Sequence, residues 1–136
     1  MGRAEVKLLL DTHIWIWSVL ERARLSPRVA AALEDEANEI WLSPVATWEM
    51  LLLAERGRLE YDGAPEELVA EALRVTPARE APLTHAVALE SRRLRLKHED
   101  PADRFLAATA RVYDLTLVTA DVHLLRSREL ATLANR

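Results

Sequence analysis

Val6-Lys7-Leu8-Leu9-Leu10 runs into Asp11-Thr12-His13 near the start of the chain. The five-residue run is β-capable and lacks polar alternation, the pattern of a strand covered on both faces in a parallel sheet. It stops abruptly at Asp11. Beyond it, Thr12 to Leu20 reads as a helix. Leu25-Ser26-Pro27 opens another that runs to about Asp35, with Ser26 as N-cap and Pro27 at the first helical position. Ile40-Trp41-Leu42 is a second short strand. Ser43-Pro44 starts a helix in the same way, and it stops near Arg56 before Gly57, a left-handed C-cap residue. Residues 57 to 64 form a loop, Pro65 to Arg74 a helix, and Val75 to Leu83 a segment with two prolines and a short strand. Thr84 begins a helix whose last turns carry Arg92, Arg93, Arg95 and Lys97, suited to a helix C-terminus. Asp100-Pro101 opens a helix through Val112, followed by a strand at Leu115 to Val118 and a last one near Ala131 to Leu133. Strands alternate with helices throughout. The expected architecture is therefore an α/β/α three-layer single domain over residues 1–136 with a mostly parallel central sheet.

Composition supports that frame. The chain has 136 residues, half of them apolar, with three Gly and six Pro. A domain of this size buries roughly two-thirds of its unfolded surface and needs no staple. There is no cysteine, which excludes thiol catalysis, Cys-based zinc sites and disulfide frameworks and is compatible with a reducing cytoplasm. The longest apolar stretches fall well short of the roughly 18 residues of a spanning helix. No signal peptide or anchor is expected, and the localisation read from the sequence is cytoplasmic. Lys and Arg number 18 against 22 Asp and Glu, a net charge of −4. That is the wrong sign for holding nucleic acid by bulk electrostatics, so any such contact requires a local reversal of sign.

Ligands of parallel α/β sheets bind outside the carboxyl ends of the strands. Four carboxylates are expected there. Asp11 follows the first strand, and Asp121 follows the fourth through Thr119-Ala120. Asp103 lies in the first turn of the helix that leads into that strand, and Glu49 in the second turn of the helix after the second strand. Taken singly, Asp11, Asp103 and Asp121 read equally as helix caps or first-turn acids. Glu49 differs, because Pro44 to Ala54 is otherwise almost wholly apolar and no Lys or Arg lies one turn away. A carboxylate there is costly to desolvate unless paired or metal-bound. Oxygen-only ligands of this kind suit Mg²⁺ or Mn²⁺. Setting the four aside leaves acidic and basic residues equal at 18, so one or two divalent ions would cancel the excess and create an anion-binding centre. Metal-assisted phosphodiester hydrolysis is the chemistry this supports. Thr119 orients a carboxylate or a water, or satisfies local backbone; the sequence leaves both open. No Ser/His/Asp pattern or Gly-rich phosphate loop competes.

Leu8-Leu9-Leu10-Asp11-Thr12-His13, Ser43-Pro44 with Trp48-Glu49, Asp100-Pro101-Ala102-Asp103-Arg104 and Leu117-Val118-Thr119-Ala120-Asp121, in this order, resemble a PIN domain (PilT N-terminus). Among these the chain is similar to the VapC (virulence-associated protein C) toxins of type II toxin–antitoxin pairs. The resemblance covers about residue 7 to the C-terminus. It implies an acidic metal site of Asp11, Glu49, Asp103 and Asp121 and a Mg²⁺- or Mn²⁺-dependent ribonuclease that arrests translation. It also implies a cognate antitoxin that occludes the site, and homodimers that meet operator DNA through the antitoxin. The short basic tail, Leu124 to Arg136, is where the family pattern is too variable to carry over a role.

Within Asp100-Pro101-Ala102-Asp103, Pro101 fits the first helical position, so Asp100 is the expected N-cap and Asp103 the site acid. Arg92, Arg93, Arg95, Lys97 and Arg104 read as RNA-phosphate contacts or as a solvated helix end. His13, His85, His98 and His123 share no ligand spacing and read as exposed or capping, with His98 a further substrate contact. Trp15, Trp17, Trp41 and Trp48 read as core in a chain with one Phe. The apolar Pro44 to Ala54 and Thr12 to Leu20 segments exceed what one small domain covers, which points to a homodimer and a protein partner. Two other functions fit the residues less well. A phosphatase using Asp11 as nucleophile wants a second Asp two residues later, where His13 stands. A catalytically silent PIN-like interaction module would have no need of the complete acidic quartet.

Overall fold

The computed structural model describes residues 6–97 and 99–136; His98 and the first five residues lie outside the described residues. Five parallel strands form one sheet: β1 (Lys7–Leu10), β2 (Glu39–Leu42), β3 (Arg79–Glu80), β4 (Thr116–Thr119) and β5 (Thr132–Ala134), in the order β3-β2-β1-β4-β5. The helices are α1 (Thr12–Leu20), α2 (Pro27–Glu34), α3 (Pro44–Glu55), α4 (Pro65–Val75), α5 (His85–Arg93), α6 (Pro101–Val112) and α7 (Val122–Leu125). The short α7 and a 3₁₀ turn at Arg22–Arg24 have no counterpart in the sequence reading.

The unbroken apolar run of β1 serves two cores. Leu8 and Leu10 pack with Ile14, Trp15, Val29, Met50 and Leu68 on the face covered by α1 to α4. Leu9 points the other way, into a cluster with Val87, Leu94, Ala107 and Leu117 under α5 and α6. Each fully buried leucine stabilises the fold by about 1.5–3 kcal/mol relative to exposure. The helix starts are set by side-chain caps. Ser26 accepts from the Val29 N–H, Ser43 from Val45, and Asp100 from Ala102 and Asp103, each before a proline at the first helical position. Gly57, at φ 66°, closes α3 in the left-handed region with its N–H on the Ala54 carbonyl. Among the described residues no helix is long and apolar enough to cross a membrane.

Two sequence expectations need correcting. The helix from Thr84 does not extend to Arg95 and Lys97: α5 ends at Arg93, and Leu94 turns extended and buries itself in the second core. Trp48 is not core. Val45, Ala46 and Met50 take the buried side of α3, leaving the Trp48 side chain 56% exposed. Trp15 is fully buried, and Trp17 and Trp41 are partly so.

Candidate acidic site

The strand order reverses beside β1: β2 and β3 lie on one side, β4 and β5 on the other. The crevice at such a switch, outside the carboxyl ends, is where this class of sheet binds ligands. Asp11 and Thr119 sit at that point. The register pairs Leu10 with Val118, the Asp11 N–H donates to the Val118 carbonyl at 3.0 Å, and the Thr119 hydroxyl donates to Asp11 Oδ2 at 2.7 Å. Thr119 thus orients a carboxylate, and its Oγ1 also accepts from the Asp121 N–H, so both alternatives left open by the sequence are realised.

A cavity of about 320 Å³ opens over this edge, lined by Asp11, Glu49, Asp103 and Asp121, with Asp100 and His13 beside them. The four expected acids thus reach one cavity from four segments. Trp17 and Ala120 complete its wall. Asp11 is 8% exposed, and burial raises its pKa against the opposing hydrogen bond from Thr119 and the charge of His13. Glu49 is half-buried, and its pKa is raised chiefly by burial, with repulsion from Asp11 and Asp100 adding to it. The Thr12 hydroxyl donates to Glu49 Oε1 at 2.5 Å. Each of these two acids thus accepts from a threonine hydroxyl. Asp121 caps α7 by accepting from the His123 and Leu124 N–H groups through Oδ1.

A lining dominated by carboxylates, two of them with pKa values raised by burial, is chemically matched to a hard divalent cation. Among the described residues, no group of three such side chains is yet drawn close enough to hold one. The lining has the donor chemistry without a closed coordination shell.

Three residues at this site had been given no role there. Asp100 is the expected cap and also lines the cavity. Thr12, buried directly after Asp11, holds Glu49 from another element, a pairing between segments that spacing along the chain does not reveal. His13 is exposed, as expected, yet its charge bears on both raised acids.

Arg104 requires a correction. Its side chain is neither a phosphate contact nor a solvated helix end, being 5% exposed. The guanidinium donates to the carbonyls of Ser91, Leu94 and Leu96 at 2.9, 2.8 and 3.2 Å. It thereby satisfies carbonyls at the end of α5 that have no intrahelical donor. Arg95 and Lys97 are exposed, and His98 lies outside the described residues.

Carboxylates gathered at the topological switch of a parallel sheet define a three-layer α/β domain with an acidic centre. Residues 8–130 match the PIN domain model, and the chain belongs to the PIN domain family. It is 33% identical over 118 residues to Ribonuclease VapC22 of Mycobacterium tuberculosis, covering 84% of this chain and 86% of that one. The fold is shared with VapBC2 from Rickettsia felis bound to a DNA fragment from their promoter. That match has a TM-score of 0.71 at 16% identity and covers 95% of this chain and 98% of the other. FitAcB from Neisseria gonorrhoeae matches with a TM-score of 0.65 at 27% identity, over 94% and 97% of the two chains.

Proposed function

We propose that this PIN domain is a metal-dependent endoribonuclease of the VapC kind, acting in the cytoplasm and restrained by a cognate antitoxin. The observation that carries the reading is the convergence of Asp11, Glu49, Asp103 and Asp121 on one cavity at the β1/β4 switch. The identity with Ribonuclease VapC22 supports the substrate class.

Asp11, Glu49, Asp103 and Asp121 would hold Mg²⁺ or Mn²⁺, one or two ions. Bound there, the metal supplies an activated water and charge compensation for in-line displacement at phosphorus. The chain's own contribution is orientation. The Thr119 hydroxyl fixes the carboxylate of Asp11, and the Thr12 hydroxyl that of Glu49, so both acids face the cavity before substrate arrives. Burial of Asp11 keeps bulk water from screening the centre, which strengthens its hold on a cation.

Restraint by a partner is supported by the complexes in which the neighbouring folds occur, and by an apolar surface on this chain. Trp48, Leu51 and Leu52 of α3 line a cavity of about 400 Å³ with Ala64 and Pro65 at the start of α4, and Glu55 and Glu66 complete its wall. Exposed apolar area of this kind favours protein association. The same surface supports a homodimer, with operator DNA reached only through the antitoxin. Light scattering at micromolar concentration is expected to give a dimer; a strictly monomeric species with no partner co-purifying from its operon contradicts that part.

The activity is tested by incubating the purified chain with structured RNA. Cleavage is expected with Mg²⁺ or Mn²⁺ and is expected to stop in EDTA. Undiminished cleavage in EDTA by protein free of contaminating nuclease overturns the reading.

A further inference from the structure

Beside the acidic cavity lies a larger one of opposite sign. It encloses about 600 Å³, and its walls carry Arg95, Lys97, Arg126 and Arg128, with His123 and one carboxylate, Glu129. The four cations are exposed, and among the described residues their side chains have no hydrogen-bond or ion-pair partner. Five arginines elsewhere are ion-paired, Arg22 with Glu34, Arg24 with Glu21, Arg74 with Glu71, Arg79 with Glu39 and Arg111 with Glu90; what sets the cleft apart is that four cations share one concavity. The single acid of the cleft is engaged otherwise. A Glu129 carboxylate oxygen accepts the backbone N–H of Arg95 at 3.2 Å, joining the two walls.

Two short chain segments link the lining of the cleft to that of the acidic centre. One passes from Arg95 and Lys97 in the cleft to Asp100 in the acidic cavity, and the other from Asp121 in that cavity to His123 and Arg126 in the cleft. Unpaired cations concentrated in one concavity of a chain with net charge −4 are the local reversal of sign that a polyanion requires. The volume and the spread of charges suit several linked phosphates better than one small anion. Among the described residues no Trp, Tyr or Phe lines the cleft, and its one ring is the imidazole of His123, so it offers little surface for stacking bases. Contacts to phosphates position a strand and carry no sequence information.

We infer that this cleft binds the ribose-phosphate backbone of the RNA strand flanking the scissile bond, setting affinity and not sequence preference. The role in catalysis rests on the nuclease reading above; binding itself does not.

Two charge-reversed pairs test it in the full chain, Arg95→Glu with Lys97→Glu and Arg126→Glu with Arg128→Glu. Arg56→Glu with Arg58→Glu, in the exposed turn after α3, is the control. Labelled single-stranded RNA of mixed sequence is titrated in EDTA over a range of salt. Hydrolysis of RNA and of bis(p-nitrophenyl) phosphate, a diester small enough to use the acidic centre alone, is followed with Mn²⁺. Thermal melts establish that every variant is folded. Each cleft pair is expected to weaken RNA binding about tenfold or more and to lower the log–log salt slope by about 0.7 per lost phosphate contact. KM for RNA is expected to rise with the pattern of cleavage sites unchanged, while small-diester hydrolysis and the control pair match the wild type. Wild-type RNA affinity in both cleft pairs overturns the inference. So does loss of affinity for a polyglutamate peptide with RNA affinity intact, which assigns the cleft to an acidic protein segment. A wild type that hydrolyses neither RNA nor the small diester overturns the nuclease reading instead, and the EDTA titration still decides whether the cleft holds RNA.

Discussion

Asp11 is a carboxylate set where the surrounding packing favours a neutral group, and Glu49 shares its difficulty. Burial raises both pKa values above those of an unfolded chain, about 4. The folded state therefore binds more protons than the unfolded state as pH rises from about 4 toward the raised values, and stability is lost across that window. In EDTA, Asp11→Asn is expected to melt above the wild type at neutral pH, with the advantage vanishing toward about pH 4. An advantage that persists unchanged to acid pH would show that charge is not its origin. Asp100 poses a different question, because it caps α6 and also lines the cavity. Asp100→Ala is expected to cost about 1 kcal/mol, and Asp100→Ser, which keeps a capping oxygen, to recover most of it. Denaturant unfolding of both variants separates the cap from the charge. Glu49 stood out in the sequence as the lone charge between Pro44 and Ala54; the hydroxyl of Thr12 that holds it did not, since a contact spanning 37 residues leaves no local pattern.

At the scale of elements, β1 was the easiest to read, because Leu8, Leu9 and Leu10 have no polar alternation and the sheet buries both faces. Ser26-Pro27, Ser43-Pro44 and Asp100-Pro101 marked helix starts for the reason the structure displays, a side-chain acceptor followed by a residue with no N–H to lose. The end of α5 was misplaced. Its basic residues suggested a continuing helix, whereas Leu94 leaves the helix for the second core and Arg104 from α6 takes up the freed carbonyls. A tertiary capture of this kind is invisible to periodicity. It also makes Arg104 a structural tie beneath the segment that leads to Asp100. Arg104→Met leaves three carbonyls without that donor and is expected to destabilise the fold by about 3 kcal/mol, measured by urea unfolding. A change within experimental error contradicts the assignment.

Across the whole molecule, one feature of connectivity organises the chemistry: the chain places β2 and β3 on one side of β1, and β4 and β5 on the other. The reversal opens the crevice into which four separated acids project, and a chain of net charge −4 collects unpaired cations in the adjoining cleft. The order of the motifs was enough to anticipate the acidic edge. The basic cleft was only half visible, because Arg95 and Lys97 meet Arg126 and Arg128 through folding and not through proximity in sequence. The central claim is that the carboxylates act together as a cation-dependent centre for cleaving RNA. It is tested most directly by the RNA cleavage rate of Asp103→Asn at saturating Mn²⁺, beside the wild type. Asp103 lines the cavity from the first turn of α6, and the substitution removes one charge while nearly preserving shape. The account predicts a loss of about a hundredfold or more, equivalent to roughly 2.7 kcal/mol of lost transition-state stabilisation, in a protein that melts no lower than the wild type in EDTA. Cleavage at the wild-type rate would contradict it.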